Sequence, residues 1–354
     1  MTDSALHTQS SVGHLVSELT QDSGYLESEN QAKTQIRRLI WKMAIATFIL
    51  MAIGSATRVM NAGLACPDWP LCYGTLYPAQ QMNLRVFLEW FHRLDAAVIG
   101  FMAIVLVGAS WWHRRTLPRW MPLASVGVLG LIGFQGVLGG LTVTQMLRFD
   151  IVTAHLGTAL LFFMALLVVG ILLLPATHVV PGVANRAVEN RAVDTKAAKG
   201  MAAMTESPRD EMRPALQNIH WVSLGAAIVI YGQSLTGALV GSRWALHQCL
   251  NLESLCTVMN SHLIGVVPAS LASLAVVVMA WRNAALPSRL RRLAWVVAGL
   301  LTTQILLGVG TFKLHLQVEL LTVTHQAVGA ALLGTLLSLA VVGFRVQRLQ
   351  ADSA

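Results

Sequence analysis

Apolar residues in this chain gather into runs too long for the core of a soluble domain. Eight such runs lie at about 39–57, 93–112, 120–144, 151–174, 219–240, 261–281, 292–311 and 319–343. Each approaches the roughly 20 residues that cross a hydrocarbon layer about 30 Å thick. Lipid offers the backbone no hydrogen-bond partner, so spans of this length are read as helices. The pattern therefore predicts an all-α polytopic membrane protein with eight transmembrane helices. The longest polar connection, 175–218, divides it into a half at 39–174 and a half at 219–345. Each half has an even number of spans, so both insert with the same orientation and form two parallel-repeat four-helix bundles. Residues 1–38 are rich in Ser, Gln, Glu and Thr and read as a disordered cytoplasmic tail. Residues 346–354 read as a short cytoplasmic C-terminus.

Charge supplies the topology. Nineteen of the 25 Lys and Arg residues fall on one side if both termini, 113–119, 175–218 and 282–292 share it. The other side and its helix edges hold Arg58, Arg85, Arg93, Arg148, Arg243 and Lys313. The positive-inside rule then places both termini in the cytoplasm. The net charge of +8 reports that asymmetry and contact with anionic lipid, and gives no ground for a nucleic-acid partner. With 55% hydrophobic and only 12% charged residues, polar groups inside the spans stand out as candidates for function.

Histidine is the most telling of these. His92 and His155 lie 63 residues apart, as do His262 and His325, and the second pair follows the first by 170 residues. The surroundings repeat too: Leu138-Gly139 follows Gln135 as Leu307-Gly308 follows Gln304. The four histidines open the second, fourth, sixth and eighth spans, all near the outer surface. Two imidazoles at one depth on facing helices suit the two axial positions of one haem iron. The same spacing in both halves predicts two such sites, with His92, His155, His262 and His325 as metal ligands. His113, His178, His220, His247 and His315 lack this placement and read as interfacial side chains.

Four cysteines form two close pairs in outer loops, Cys66 with Cys72 and Cys249 with Cys256. An oxidising compartment permits a disulfide in each loop, as a staple or as a redox-active pair. Two thiols per loop lack the further ligands a zinc site needs. Glu89 precedes His92 by three residues and shares its helix face, whereas the matching position of the second half is Met259. The carboxylate suggests that chemistry needing a proton carrier belongs to the first half alone. Arg58 and Arg93 in the first half, and Arg243 in the second, are candidate partners for haem propionates or interfacial anchors. Gln135 and Gln304 are intramembrane amides that either bond across helices or orient a ligand. Gly127, Gly130, Gly133, Gly136 and Gly139 punctuate the third run, and close helix packing is the favoured reading.

Several stretches resemble one family. Gly54-Ser55-Ala56-Thr57-Arg58, Gly63-Leu64-Ala65-Cys66-Pro67-Asp68-Trp69-Pro70-Leu71-Cys72 and Glu89-Trp90-Phe91-His92-Arg93-Leu94 are similar to the first outer loop and second span of haem A synthases. The later histidine contexts extend the resemblance over about 36–345. It implies an enzyme that oxidises a ring methyl of haem O to a formyl group, giving haem A for terminal oxidases. It further implies that His92 and His155 hold haem O with Glu89 beside the reacting edge. His262 and His325 would then ligate a haem b that relays electrons. Both cysteine pairs match those of some bacterial members. The setting implied is the bacterial inner membrane, with the haem O-producing enzyme and an electron donor as partners and a homo-oligomer allowed. A di-haem b carrier between quinol and a periplasmic acceptor would use the same four histidines, but gives Glu89 no purpose. A parallel-repeat transporter explains the spans and not the histidines.

Overall fold

The computed structural model describes residues 3–175, 218–242, 254–284, 286–314 and 317–351, with side chains at all of these except 3–29, 254–256 and 350. Most of the expected 175–218 linker lies outside the described residues. So do Arg243, Cys249, His178, His247 and His315, while Cys256 is described as backbone only.

Among the described residues the fold is all-helical. The helices are α1 (Asp3–Val59), α2 (Leu84–Trp112), α3 (Met121–Thr144), α4 (Phe149–Leu172), α5 (Ile219–Val240), α6 (Ser254–Arg282), α7 (Ser288–Lys313) and α8 (Glu319–Ala351). Each carries a segment long and apolar enough to cross a membrane. Their ends differ from the hydropathy pattern in instructive ways. α2 starts at Leu84 because Asn83 caps it, its side chain accepting from the amides of Arg85 and Val86 at 3.0 and 3.2 Å. α8 runs on to Ala351, so the expected C-terminal tail is largely helix. The tail expected to be disordered over 1–38 is likewise helical from Asp3. No proline interrupts it, and a helix already nucleated in the span propagates more easily than a new one forms.

Each half closes on itself. α1, α2, α3 and α4 pack in sequence and α4 returns to α1; α5, α6, α7 and α8 do the same, with α8 against α5. The halves meet where α8 packs on α1 and α4, and α4 packs on α5. Accordingly α4 and α8 are the most enclosed spans, while α7 turns mostly outward. Lipid is as apolar as leucine, so close approach has to hold these helices together. It does so at Gly334 of α8, where a Cβ would stand 2.9 Å from Phe163 and Leu167 of α4. Gly170 of α4 similarly meets Trp41 of α1 at 3.2 Å. The glycine row of α3 behaves otherwise. Gly127, Gly130, Gly133 and Gly136 face open space, and Gly139 alone of the five packs against a side chain.

Buried hydroxyls remain affordable in lipid because they bond back to their own helix. Thr47 donates to Met43 O at 2.7 Å, Ser223 to Ile219 O at 2.6 Å and Ser273 to Ala269 O at 2.9 Å. Arg345 of α8 closes the end of α4, donating to the Ile171 and Leu174 carbonyls at 2.5 and 2.7 Å. His220, expected at the interface, is buried instead and stacks edge-on to Phe344 with ring centres 4.3 Å apart.

Candidate paired-histidine sites

The helix starts set the depth of the four histidines. His92 lies eight residues into α2 and His262 eight into α6; His155 and His325 each lie six residues into α4 and α8. At 1.5 Å per residue these are depths of about 12 and 9 Å. Helix phase and ring closure then bring them together as the spacing predicts. The His92 and His155 rings face each other across the first ring of helices with centres 6.5 Å apart. Two metal–nitrogen bonds of about 2 Å, plus roughly 1 Å from each ring centre to its nitrogen, add to about 6 Å. The gap therefore has the size of one metal ion held axially. His92 Nδ1, His155 Nδ1 and His325 Nδ1 are buried and have no hydrogen-bond partner.

A bare ion would need more ligands than two. Among the described residues no group of three His, Cys, Asp or Glu side chains converges. Paired imidazoles without a third ligand suit an iron whose other four positions a macrocycle fills.

All four rings rest on glycine. A Cβ on Gly54 of α1 would stand 2.7 Å from His92 Cε1, one on Gly139 of α3 3.3 Å from His155 Cε1. One on Gly237 of α5 would stand 3.0 Å from His262 Cε1, and one on Gly308 of α7 3.1 Å from His325 Cε1. The intramembrane glutamines turn out both to bond across helices and to reach the histidines. Gln135 donates to His155 O at 2.8 Å, and the Gln304 amide nitrogen lies 3.3 Å from His325 Nε2. Gln233, which sequence reading passed over, donates to His262 O at 2.7 Å. Thr236 Oγ1 and the Gln233 amide nitrogen lie 3.0 and 3.1 Å from His262 Nδ1 and fix the orientation of the ring.

The two sites differ in what surrounds them. Beside His262 and His325 lies a largely apolar cavity of about 850 Å³, within the range of organic-ligand pockets. Part of its wall comes from the other half, including Phe48, Met51 and Arg58 of α1 and Leu156 of α4. Arg58, a candidate cofactor-binding residue from the first half, lies at this second cavity. It donates to Gln326 Oε1 at 3.0 Å and leaves Nε buried without a partner. Gly241 permits this reach, since a Cβ there would stand 2.9 Å from Arg58 Nη2.

The first site is instead covered by the loop between α1 and α2. Cys66 and Cys72 are bonded as a disulfide, and Trp69 lies against Gly140 of α3, 3.3 Å from where a Cβ would be. Asp68 gathers the turn by accepting from the amides of Tyr73 and Gly74 at 2.6 and 2.8 Å. Those bonds, Gly74's first, hold its carboxyl below the ordinary 3.8. Glu89 and Arg93 anchor this loop to α2. Glu89 Oε2 accepts from Cys66 N at 2.8 Å and Oε1 pairs with Arg93 at 2.5 Å. Arg93 also donates to Asp68 O at 2.6 Å and Leu71 O at 2.5 Å. Both side chains are thus committed to the loop rather than turned freely toward a ring edge or a propionate. The sequence hint was the i, i+4 spacing of opposite charges within an apolar helix.

Among the described residues the eight-span bundle thus carries two matched pairs of imidazoles, one pair beside a disulfide-closed loop, which defines a multi-pass membrane protein with a candidate site in each half. The chain belongs to the COX15-CtaA family of cytochrome oxidase assembly proteins, whose model matches residues 37–337. Among its relatives, the haem A synthase of Shewanella oneidensis is 25% identical, over 85% of this chain and 96% of that protein. The haem A synthase of Caulobacter vibrioides is 26% identical over 87% and 96% respectively. The one from Geobacillus kaustophilus reaches 36%, over 34% of this chain and 37% of its own.

Proposed function

We propose that this chain is a haem A synthase in which the His92/His155 site takes haem O and the His262/His325 site holds a resident haem b. The observation that carries this reading is the 6.5 Å separation of the His92 and His155 rings beneath the disulfide loop. Turning a ring methyl into a formyl group removes electrons from the substrate and adds an oxygen atom, so an external electron acceptor and an oxygen donor are both required. A second haem would supply that redox capacity. The residues of this chain position and enclose. His92 and His155 fix the substrate's iron, and so the depth of its periphery. Trp69 and the Cys66–Cys72 loop keep outer water from the site. Glu89 holds that loop through the Cys66 amide, so the role its geometry supports best is positioning. In the second site the unpartnered Nε–H of Arg58 would donate to a carboxylate of a bound haem.

Glu89, which ties the outer loop to α2 in the first half and is replaced by Met259 in the second, favours a synthase over a symmetrical carrier. The test is expression in a host that makes haem O but not haem A, followed by extraction of pigment. Formyl-bearing haem is expected from the wild type and absent with His155→Ala. Unchanged haem O from the wild type would overturn the assignment. His262→Ala should in addition remove a low-spin haem b signal from the purified protein.

A further inference from the structure

The carboxylates among the described side chains are Asp68, Glu89, Asp95, Asp150 and Glu319, and all belong to the outer loop or the outer halves of their helices. At the opposite end of the bundle the described charges are Lys and Arg alone. Most of these cations follow from the positive-inside rule. Two of them line a cavity.

That cavity, of about 230 Å³, opens where α3 begins and where α4 and α8 end. Trp120, Leu172, Arg345, Arg348 and Leu349 line it. Because α3 and α4 belong to the first half and α8 to the second, it sits on the seam between the halves. Arg345 is half-buried and held in place, its two terminal nitrogens donating to Ile171 O and Leu174 O. Arg37 of α1 reaches the Leu173 carbonyl at 3.5 Å. The negative end of the α4 helix dipole is thereby answered. A guanidinium carries five N–H donors, so Arg345 keeps others for a ligand. Arg348, three residues on and exposed, has no hydrogen-bond or ionic partner among the described residues. Trp120 stands at the start of α3, the helix end whose dipole favours an anion, and an indole there sits at headgroup depth.

We propose that this cavity holds the phosphate of an anionic phospholipid, clamped by Arg345 and Arg348 with Trp120 alongside. Guanidinium groups match the paired oxygens of a phosphate. Basic pockets between spans, at the end that the charge asymmetry assigns to the cytoplasm, suit acidic headgroups. The volume is far below the 850 Å³ beside His262 and His325 and takes one headgroup rather than a macrocycle. Its acyl chains would continue over Leu172, which is exposed toward the surrounding lipid. The bound lipid then ties the two halves together a second time. Arg58 joins α1 to α8 through Gln326 at the outer end, and the lipid joins α3 and α4 to α8 at the other.

The experiment is native mass spectrometry of the full chain in detergent, titrated with phosphatidylglycerol, with phosphatidylcholine and with inorganic phosphate. The wild type should retain one phosphatidylglycerol more tightly than any further copy, and phosphatidylcholine should not replace it. Arg348→Gln should weaken that retention about fivefold, the effect of removing one cation at an anionic surface. Arg291→Gln, at an exposed cation of the same end, should leave it unchanged. Phosphatidylglycerol should also raise the melting temperature of the wild type but not of Arg348→Gln. Arg345→Gln is the less selective variant, because it also releases two α4 carbonyls. Equal retention of the two lipids, or equal losses from Arg348→Gln and Arg291→Gln, would reduce the effect to diffuse surface charge and overturn the proposal. Displacement of the lipid by inorganic phosphate would assign the cavity to a free anion and overturn it as well. Haem enters none of these readouts, so the outcome is independent of the synthase reading.

Discussion

Replacing Gly54 by alanine should expel the macrocycle from the first site while strengthening the helix that carries the change. The new methyl carbon would stand 2.7 Å from His92 Cε1. Carbon atoms settle at about 3.5–4.0 Å, so the ring must retreat by at least about 0.8 Å. Ligand distances in metal sites tolerate about 0.2 Å, and the displacement is several times that. Alanine is meanwhile favoured over glycine in a helix interior by about 0.5–1 kcal/mol. Thermal stability of the apoprotein should therefore hold or rise as haem content falls. The other three glycines form a graded control. Their clearances of 3.0 Å for Gly237, 3.1 Å for Gly308 and 3.3 Å for Gly139 predict decreasing damage in that order. The assay is low-spin absorbance per mole of purified protein, read with melting temperature. If Gly54→Ala and Gly139→Ala kept equal haem at the first site, steric support of the ligand would be the wrong explanation.

Arg58→Ala should lower haem retention in the second site although Arg58 belongs to the first half, and Arg58→Lys should rescue poorly because a lysine lacks the planar fork. Glu89→Ala should loosen the outer loop by about 3 kcal/mol, the scale for orphaning one partner of an enclosed ion pair. Faster reduction of Cys66–Cys72 by dithiothreitol would show it, with the second site's spectrum unchanged. Asp68 gives the loop an acid limit: a depressed carboxyl contributes order in full above its ordinary 3.8, and that order is lost as pH falls through the lowered value. Loop proteolysis should accordingly stay slow at neutral and mildly acidic pH and accelerate only below the ordinary value, while Asp68→Asn should be susceptible throughout.

Hydropathy and histidine spacing carried the eight spans and the pairing of His92 with His155, because lipid leaves the backbone few choices. Gln135 with Gly139 and Gln304 with Gly308 were visible as a repeat. Gln233 with Gly237 was not, because the equivalent first-half position is Leu50 and because Gly54 precedes His92 by 38 residues whereas Gly237 precedes His262 by only 25. A longer first loop thus hides the correspondence from any search at constant offset. The start of α2 was read nine residues late, since Arg85, Glu89 and Arg93 make its first turns look too polar for a span. The charges of Glu89 and Arg93 are consumed by each other and by loop carbonyls, a three-dimensional cancellation no linear window detects. The cavity that Arg58 lines was not legible for a related reason: sequence neighbours share a helix, but this cavity belongs to the opposite bundle.

That borrowed wall has a bearing on biogenesis. Ser55 and Arg58 of α1 both donate to Gln326, the residue after His325, at 3.0 Å. α1 leaves the ribosome well before α8, so the second cavity combines an early and a late segment of the nascent chain. That cavity is complete only once translation has delivered α8 against α1, and under the proposed function a haem captured earlier would have one ligand and an open side. The C-terminal half made alone should therefore insert yet hold haem poorly, and supplying the N-terminal half in trans should restore it.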